Sequence, residues 1–391
     1  MKTLEFNGNA SEYFKIWIVN ILLIILTLGL YYPWAKVRNN RYFYANSALD
    51  GRSFEYHATG KQLFFAYLIA MGLFISYVVI QEVSPLGSLV ILGILFLIIP
   101  WVILRSMMFK MRMTSFSNIH FGFNGDIKQA YINFLAYPIA LYIGLFAIFM
   151  LMLYTKSIDG IAGSILTISL LVILIGVMIY GLAYIKKRST HYFIDNSQYG
   201  QGLFKTNLDI KKLAIILSKT IGVAVLSIVV IFIVVGLITY LTIGIETIAG
   251  FNQVGEDPNI LKNKIALILP MIIAIYICMI FAMIFIISYS LARHRKYIYE
   301  NTNLDEKINF ISTLKVFPLA WVLISNFIII IFTFGFGTPW AKVRVARLML
   351  KNTHVKAENG FDEYISKEQS NISSLGEQIG DVFNVDVGIG V

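Results

Sequence analysis

Eight apolar stretches constrain this 391-residue chain more than any other feature. They cover about 16–32, 63–80, 86–104, 132–153, 161–185, 213–245, 265–290 and 316–337. Runs near 20 residues are long enough to cross a hydrocarbon core of about 30 Å. A large soluble helical protein would need charges interrupting such runs, and these carry almost none. The chain is 58% hydrophobic and 14% charged, against about a quarter charged in soluble chains. The predicted fold class is an all-α polytopic membrane protein of about eight hydrophobic helices.

Charge placement orients it. The net charge of +10 could suggest nucleic acid, but its distribution excludes that reading. Segments 33–62, 105–130, 186–212 and 291–315 hold five, four, six and five Lys/Arg. The alternate connections 81–86, 154–160 and 246–264 hold none, one and two. This is the positive-inside pattern. The basic loops are expected in the cytoplasm, facing anionic lipid head groups, each Lys or Arg near the surface contributing about 1 kcal/mol. The central six segments then pair as hairpins 63–104, 132–185 and 213–290.

One signature occurs twice, 306 residues apart. Thr27-Leu28-Gly29-Leu30-Tyr31-Tyr32-Pro33-Trp34-Ala35-Lys36-Val37-Arg38 recurs as Thr333-Phe334-Gly335-Phe336-Gly337-Thr338-Pro339-Trp340-Ala341-Lys342-Val343-Arg344. Asn20 matches Asn326, and Arg41 matches Arg347. Five cytoplasmic segments carry a basic residue five positions before an Asn/Ser/Thr pair: Arg41, Arg112, His191, Lys296 and Arg347, the second pair being Ser117-Asn118. A further basic residue lies three earlier at Arg38, Arg188, Arg293 and Arg344. Thirteen before the pair stand Pro33, Ala183, Ser288 or Pro339, each followed by Trp or Tyr. Pro100-Trp101 is displaced by four residues in this reading.

The pattern predicts a juxtamembrane helix: proline in its first turn, the aromatic at head-group level, basic residues on one face, and Asn-Ser or Asn-Thr at its end. As a topogenic anchor it needs no ligand. As a lipid-phosphate site or interface it nominates Trp34, Lys36, Arg38, Arg41, Arg188, Arg293, Trp340, Lys342, Arg344 and Arg347. Asn20 and Asn326 are the buried polar candidates within the membrane. Short alternations at Leu4–Gly8, Phe54–His57, Phe121–Asn124 and Phe204–Asn207 predict a small cytoplasmic β element.

The termini pose a conflict. If all eight segments cross, the second signature lies outside and its twin inside. Either 16–32 and 316–337 turn back within the membrane, with both termini cytoplasmic, or the signature takes both orientations. The first is favoured, since Gly29, Gly335 and Gly337 permit sharp turns. Domain organisation is expected as a membrane domain 1–353, with terminal signature segments 16–50 and 316–353, and an acidic tail 354–391 able to fold back on the basic loops.

No catalytic motif is present, so no enzymatic activity is expected. The five histidines have no metal-ligand spacing, and the single Cys278 excludes an internal disulfide. No cofactor is expected, and no cleavable leader is evident. The spans lack the interior charges common in ion-coupled transporters. The favoured function is binding or moving a small or amphipathic solute or lipid; the alternative is a non-transporting scaffold or envelope-stress protein recruiting a cytoplasmic partner. Expected partners are anionic membrane lipids and, as a candidate, a second copy of the chain.

The signature, Arg41-Tyr42, Leu49-Asp50-Gly51 and the ending Gly380-Asp381-Val382-Phe383 through Asp386-Val387-Gly388 resemble the YjgN-type bacterial inner membrane proteins, a domain of unknown function. The resemblance implies a multi-pass protein of the bacterial inner membrane and no particular activity. Topology is checked by placing a cysteine at Asn352 in a Cys278→Ser background: an impermeant thiol reagent should label it only from the cytoplasmic side.

Overall fold

The computed structural model describes residues 1–250, 258–357, 360 and 362–370, with side chains for 1–237, 272–357, 360 and 362–370. Its base is a closed barrel of ten short strands. They are β1 (Lys2–Phe6), β2 (Ser47–Leu49), β3 (Arg52–Tyr56), β4 (Thr114–Phe116), β5 (Ile119–Phe123), β6 (Ser197–Tyr199), β7 (Gly202–Thr206), β8 (Thr302–Leu304), β9 (Ile308–Ser312) and β10 (Thr353–Ala357). Neighbours are antiparallel and follow chain order, and β10 closes on β1 with Lys2 opposite Val355 and Thr3 opposite His354. The all-α expectation is therefore corrected. Four alternating stretches were legible, but the three-residue strands β2, β4, β6 and β8 were too short to show a period.

Between the strands rise the helices: α1 (Ala10–Leu26), α2 (Tyr32–Ala45), α3 (Gly60–Val83), α4 (Pro85–Arg112), α5 (Ile127–Tyr131) running through a π turn (Ile132–Ala136) into α6 (Tyr137–Thr155), α7 (Ile161–Asp195), α8 (Ile210–Gly250), α9 (Pro258–Glu300), α10 (Val316–Phe332) and α11 (Thr338–Lys351). A last helix, α12, spans 362–370. Each packs mainly on its chain neighbours, and α11 meets α1, so a ring of helices stands on the barrel. Among the described residues six helices are long and apolar enough to cross a membrane, and their apolar faces are almost wholly exposed. Exposed apolar surface of that extent requires lipid around it.

Helix entries use ordinary N-caps. Asn9 accepts from the Ser11 amide, Thr59 forms a reciprocal capping box with Gln62, and Asp126 accepts from Gln129. Helix exits share a different device. The hydroxyls of Ser47, Thr114, Ser197, Thr302 and Thr353 donate to the carbonyls four residues back, at 2.6–2.9 Å. Asn46, Asn196, Asn301 and Asn352 do the same with their side-chain amides. Carbonyls left open at a helix end are thereby satisfied. The carbonyls of Asn46, Met113, Asn196, Asn301 and Asn352 then accept the amides that follow the neighbouring long strands, from Asn7, His57, Asn124, Asn207 and Thr313.

This corrects the reading of the second segment. α4 is capped by Met113 and Thr114 opens β4, whereas Ser117-Asn118 is the β4–β5 hairpin turn, with φ of 50° and 63°. Measured from Met113, Pro100-Trp101 falls thirteen residues back like Pro33, and Arg105 takes the place of Arg38. The apparent four-residue displacement disappears.

The tail boundary also moves. His354–Ala357 belong to β10. α12 covers the turn end of the barrel, with Tyr364 and Ile365 in its apolar core. Tyr364 donates to the Asp305 carboxylate at 2.6 Å, Asp362 pairs with Arg52 at 2.7 Å, and the Glu368 carboxylate accepts the Gln201 amide at 2.8 Å. Acidic residues do fold back here. Glu358, Glu377, Asp381 and Asp386 lie outside the described residues, as does the ending 380–388 that carried part of the resemblance.

Burial raises the Tyr364 hydroxyl's pKa above its usual value, and the bond to Asp305 adds to this; burial raises that of Tyr199 as well. An acid with a raised folded pKa stabilises below its unfolded value and loses that contribution as pH rises. The thermal unfolding temperature should therefore fall above about pH 10, less so in Tyr364→Phe. Ile365→Ala should cost about 2–5 kcal/mol, measured by denaturant unfolding in detergent.

Candidate functional site

The third residue of each strand points into the barrel. Leu4, Phe54, Phe121, Phe204 and Phe310 come from the long strands β1, β3, β5, β7 and β9. Leu49, Phe116, Tyr199, Leu304 and Val355 come from their partners. The period of two places alternate side chains on one face, and these ten positions build an apolar lumen. It does not fill completely. A cavity of about 230 Å³ remains among Leu4, Leu49, Phe116, Tyr199, Leu304 and Val355.

A second cavity, of about 390 Å³, lies at the helix end of the barrel. It is walled by Tyr44, Met111, Ile194, Ile298 and Tyr299 from the last turns of α2, α4, α7 and α9. The two share Phe54, Phe121, Phe204, Phe310 and Tyr299. Four phenylalanines thus form a collar between vestibule and lumen. Among the described residues Lys110 is the one charged side chain lining the vestibule. A few polar groups in an otherwise apolar concavity of this size suit an apolar or amphipathic ligand. The opposite end is covered by α12.

The residues nominated from sequence lie elsewhere, along the lower parts of the helices. Arg38 donates from Nη1 to Asn20 Oδ1 at 3.3 Å and to the Tyr31 hydroxyl at 3.3 Å. Arg344 donates from Nη1 to Ser325 Oγ at 2.9 Å and to Asn326 Oδ1 at 3.1 Å. Asn20 and Asn326 are 2% and 4% exposed. Each spends its amide on a second anchor, Asn39 Oδ1 and the Ala341 carbonyl, both at 3.1 Å. The two candidate asparagines are thus brought to the two signature arginines.

The remaining nominees brace the frame. Arg41 and Arg347 donate to the carbonyls of Ala58 and Gly8 at 2.8 and 3.0 Å. Trp34 packs on Tyr31 and Phe64, and against Gly60 so closely that a Cβ there would enter the indole. Trp340 lies under Arg344 at 4.4 Å, Arg293 lies over Tyr289 and Arg188 over Tyr137. Lys342 stands over Tyr13, while Lys36 is exposed. Arg105, over Trp101 at 5.8 Å, completes the set and was missed because Ser117-Asn118 imitated a helix end. None of the nominees lines the lumen. Phe54, Phe121 and Phe204 were legible as strand residues, Phe116 and Phe310 were not, and none carries polar chemistry that would nominate a site.

Three comparisons place the chain among known proteins. The family described as "Bacterial protein of unknown function (DUF898)" matches residues 1–382. "Inner membrane protein YjgN" of Salmonella typhimurium is 30% identical over 369 residues, covering 91% of this chain and 89% of that protein. The protein of the same name from Escherichia coli O157:H7 is 28% identical over 376 residues, covering 93% and 91%. No solved structure matches. The expected resemblance and the inner-membrane location therefore stand, and the chain belongs to the DUF898 family of bacterial inner membrane proteins.

Proposed function

We propose that this protein takes the apolar part of an amphipathic, lipid-like solute from the bilayer into the vestibule and barrel lumen. The observation that carries the reading is the confluence of two apolar cavities at the phenylalanine collar, the wider one lying where the helices leave the barrel. Apolar surface open to water at a barrel mouth is costly at about 25 cal/mol per Å², and an alkyl chain relieves that cost. Lys110 would meet an anionic head group at the vestibule wall. The two asparagine–arginine clusters hold their own helices and leave the lumen free for the solute.

In the same reading the chain is built from five units, each a helix exit followed by a strand pair. The fifth is split, with β10 contributed by one terminus and β1 by the other. The shared exit bonds and the thirteen-residue spacing from Pro33, Pro100, Ala183, Ser288 and Pro339 support this. The eight apolar segments then divide into six that cross and two, 16–32 and 316–337, that turn back. A 17-residue helix is about 25 Å long, and β1 and β2, which flank the α1–α2 hairpin, share one barrel. The six crossing segments form three hairpins, and both termini lie on the basic, cytoplasmic side.

The test uses delipidated protein and a fluorescent lysophospholipid. Phe121→Trp narrows the collar and should weaken binding at least about tenfold, while Lys110→Gln should weaken an anionic probe more than a zwitterionic one. Unchanged affinity in a Phe121→Trp protein with normal thermal unfolding would overturn the reading.

A further inference from the structure

α1–α2 and α10–α11 are short hairpins of the same build. Both reverse through the same turn, with φ of 49° and 92° at Leu28-Gly29 and 50° and 91° at Phe334-Gly335. Such values are strained for a leucine or phenylalanine, so the turn is specified rather than incidental. At each tip the apolar side chain is 93% exposed, Leu28 in one and Phe334 in the other. Water is a poor environment for both, and no other described residue covers them.

Helix rise sets their depth. Arg38 and Arg344 lie eight residues before the exits at Asn46 and Asn352, about 12 Å above the barrel rim at 1.5 Å per residue. The helix continues from Arg38 back to Tyr32 for about another 9 Å, and the turn adds a few more. Measured from the arginines, each tip therefore reaches about the depth of one leaflet, half of a core about 30 Å thick. Guanidinium groups at the level of one leaflet's phosphates, with apolar tips one leaflet deeper, match a single lipid molecule in length.

Charge gives the second argument. Neither Arg38 nor Arg344 pairs with a carboxylate among the described residues. Each uses only Nη1 toward the protein. Guanidinium carries five N–H donors in a fork that suits phosphate, and among the described residues no hydrogen bond engages Nη2 or Nε of either. The buried asparagines fix the fork from behind, an arrangement that a mere topogenic charge does not need.

We propose that each short hairpin holds one phospholipid of the leaflet on the basic side, its phosphate on Arg38 or Arg344 and its chains along the helices toward Leu28 or Phe334. These two sites are separate from the lumen and do not depend on the barrel reading.

Native mass spectrometry of the full chain, offered phosphatidylglycerol or a diacylglycerol of the same chains, tests this. The protein should retain more phosphatidylglycerol than diacylglycerol, the difference being the two molecules held at the arginines. Arg38→Gln and Arg344→Gln should each lower the retained number by one and together by two. Arg38→Lys should recover only part of the retention, because an ammonium lacks the fork. In a Phe121→Trp background, with or without lumen binding, the same losses of one and two should persist, which separates failure here from failure of the barrel reading. Equal retention of diacylglycerol, or undiminished phosphatidylglycerol in the folded double glutamine variant, would overturn the proposal.

Discussion

The common base from which the helices of this protein rise depends on the pairing of β1 with β10. Strands of three and five residues have little stability alone, and open edges invite foreign pairing. Closing the ring gives every strand two partners. It does so here with residues 2–6 and 353–357, opposite ends of the chain. Because all ten strands share one base, the starting height of every helix is common. Helix length then becomes depth: 17 residues in α1 and α10 against 24 in α3 and 28 in α4.

The helix exits convert that base into a level. A side-chain hydroxyl closes the last turn at five exits, and an asparagine amide supports it at four. Each cap carbonyl is then spent on the neighbouring strand, so helix end and barrel rim are one hydrogen-bonded structure. Fixing the exit fixes the level of any residue at a set distance before it. Arg38, Arg105, Arg188, Arg293 and Arg344 share that distance, and four of them lie over an aromatic ring. Such contacts contribute about 0.5–1 kcal/mol where exposed, and they keep a guanidinium from folding back to water.

What was legible in the sequence follows from what is local. The apolar runs and the charge asymmetry reflect the solvent each residue meets, so both could be read from composition along the chain. The Asn-Ser and Asn-Thr exits were legible for the same reason, since capping acts over four residues. Ser117-Asn118 misled because a hairpin turn and a helix cap both favour small polar residues. Barrel closure was invisible: Thr3 and His354 are 351 positions apart, and no local pattern announces their pairing. The lumen was hidden too, because its phenylalanines are ordinary strand residues until ten strands are curved together. Asn20 and Asn326 could be noticed as equivalent, but their arginine partners required the return of α2 and α11 alongside α1 and α10.

The most direct measurement is a cross-link at the seam. In a Cys278→Ser background, Thr3→Cys and His354→Cys place two thiols at directly opposed positions, where the native side chains already touch at 2.9 Å. Opposed Cα atoms in antiparallel strands lie about 4.5–5.5 Å apart, within disulfide range. Mild oxidation in membranes should give one intramolecular disulfide per chain, seen as a mobility shift reversed by reductant, and neither single cysteine should give it. Absence of that intramolecular bond while the protein remains folded in the membrane would contradict the closed barrel and, with it, the common level from which the helices rise.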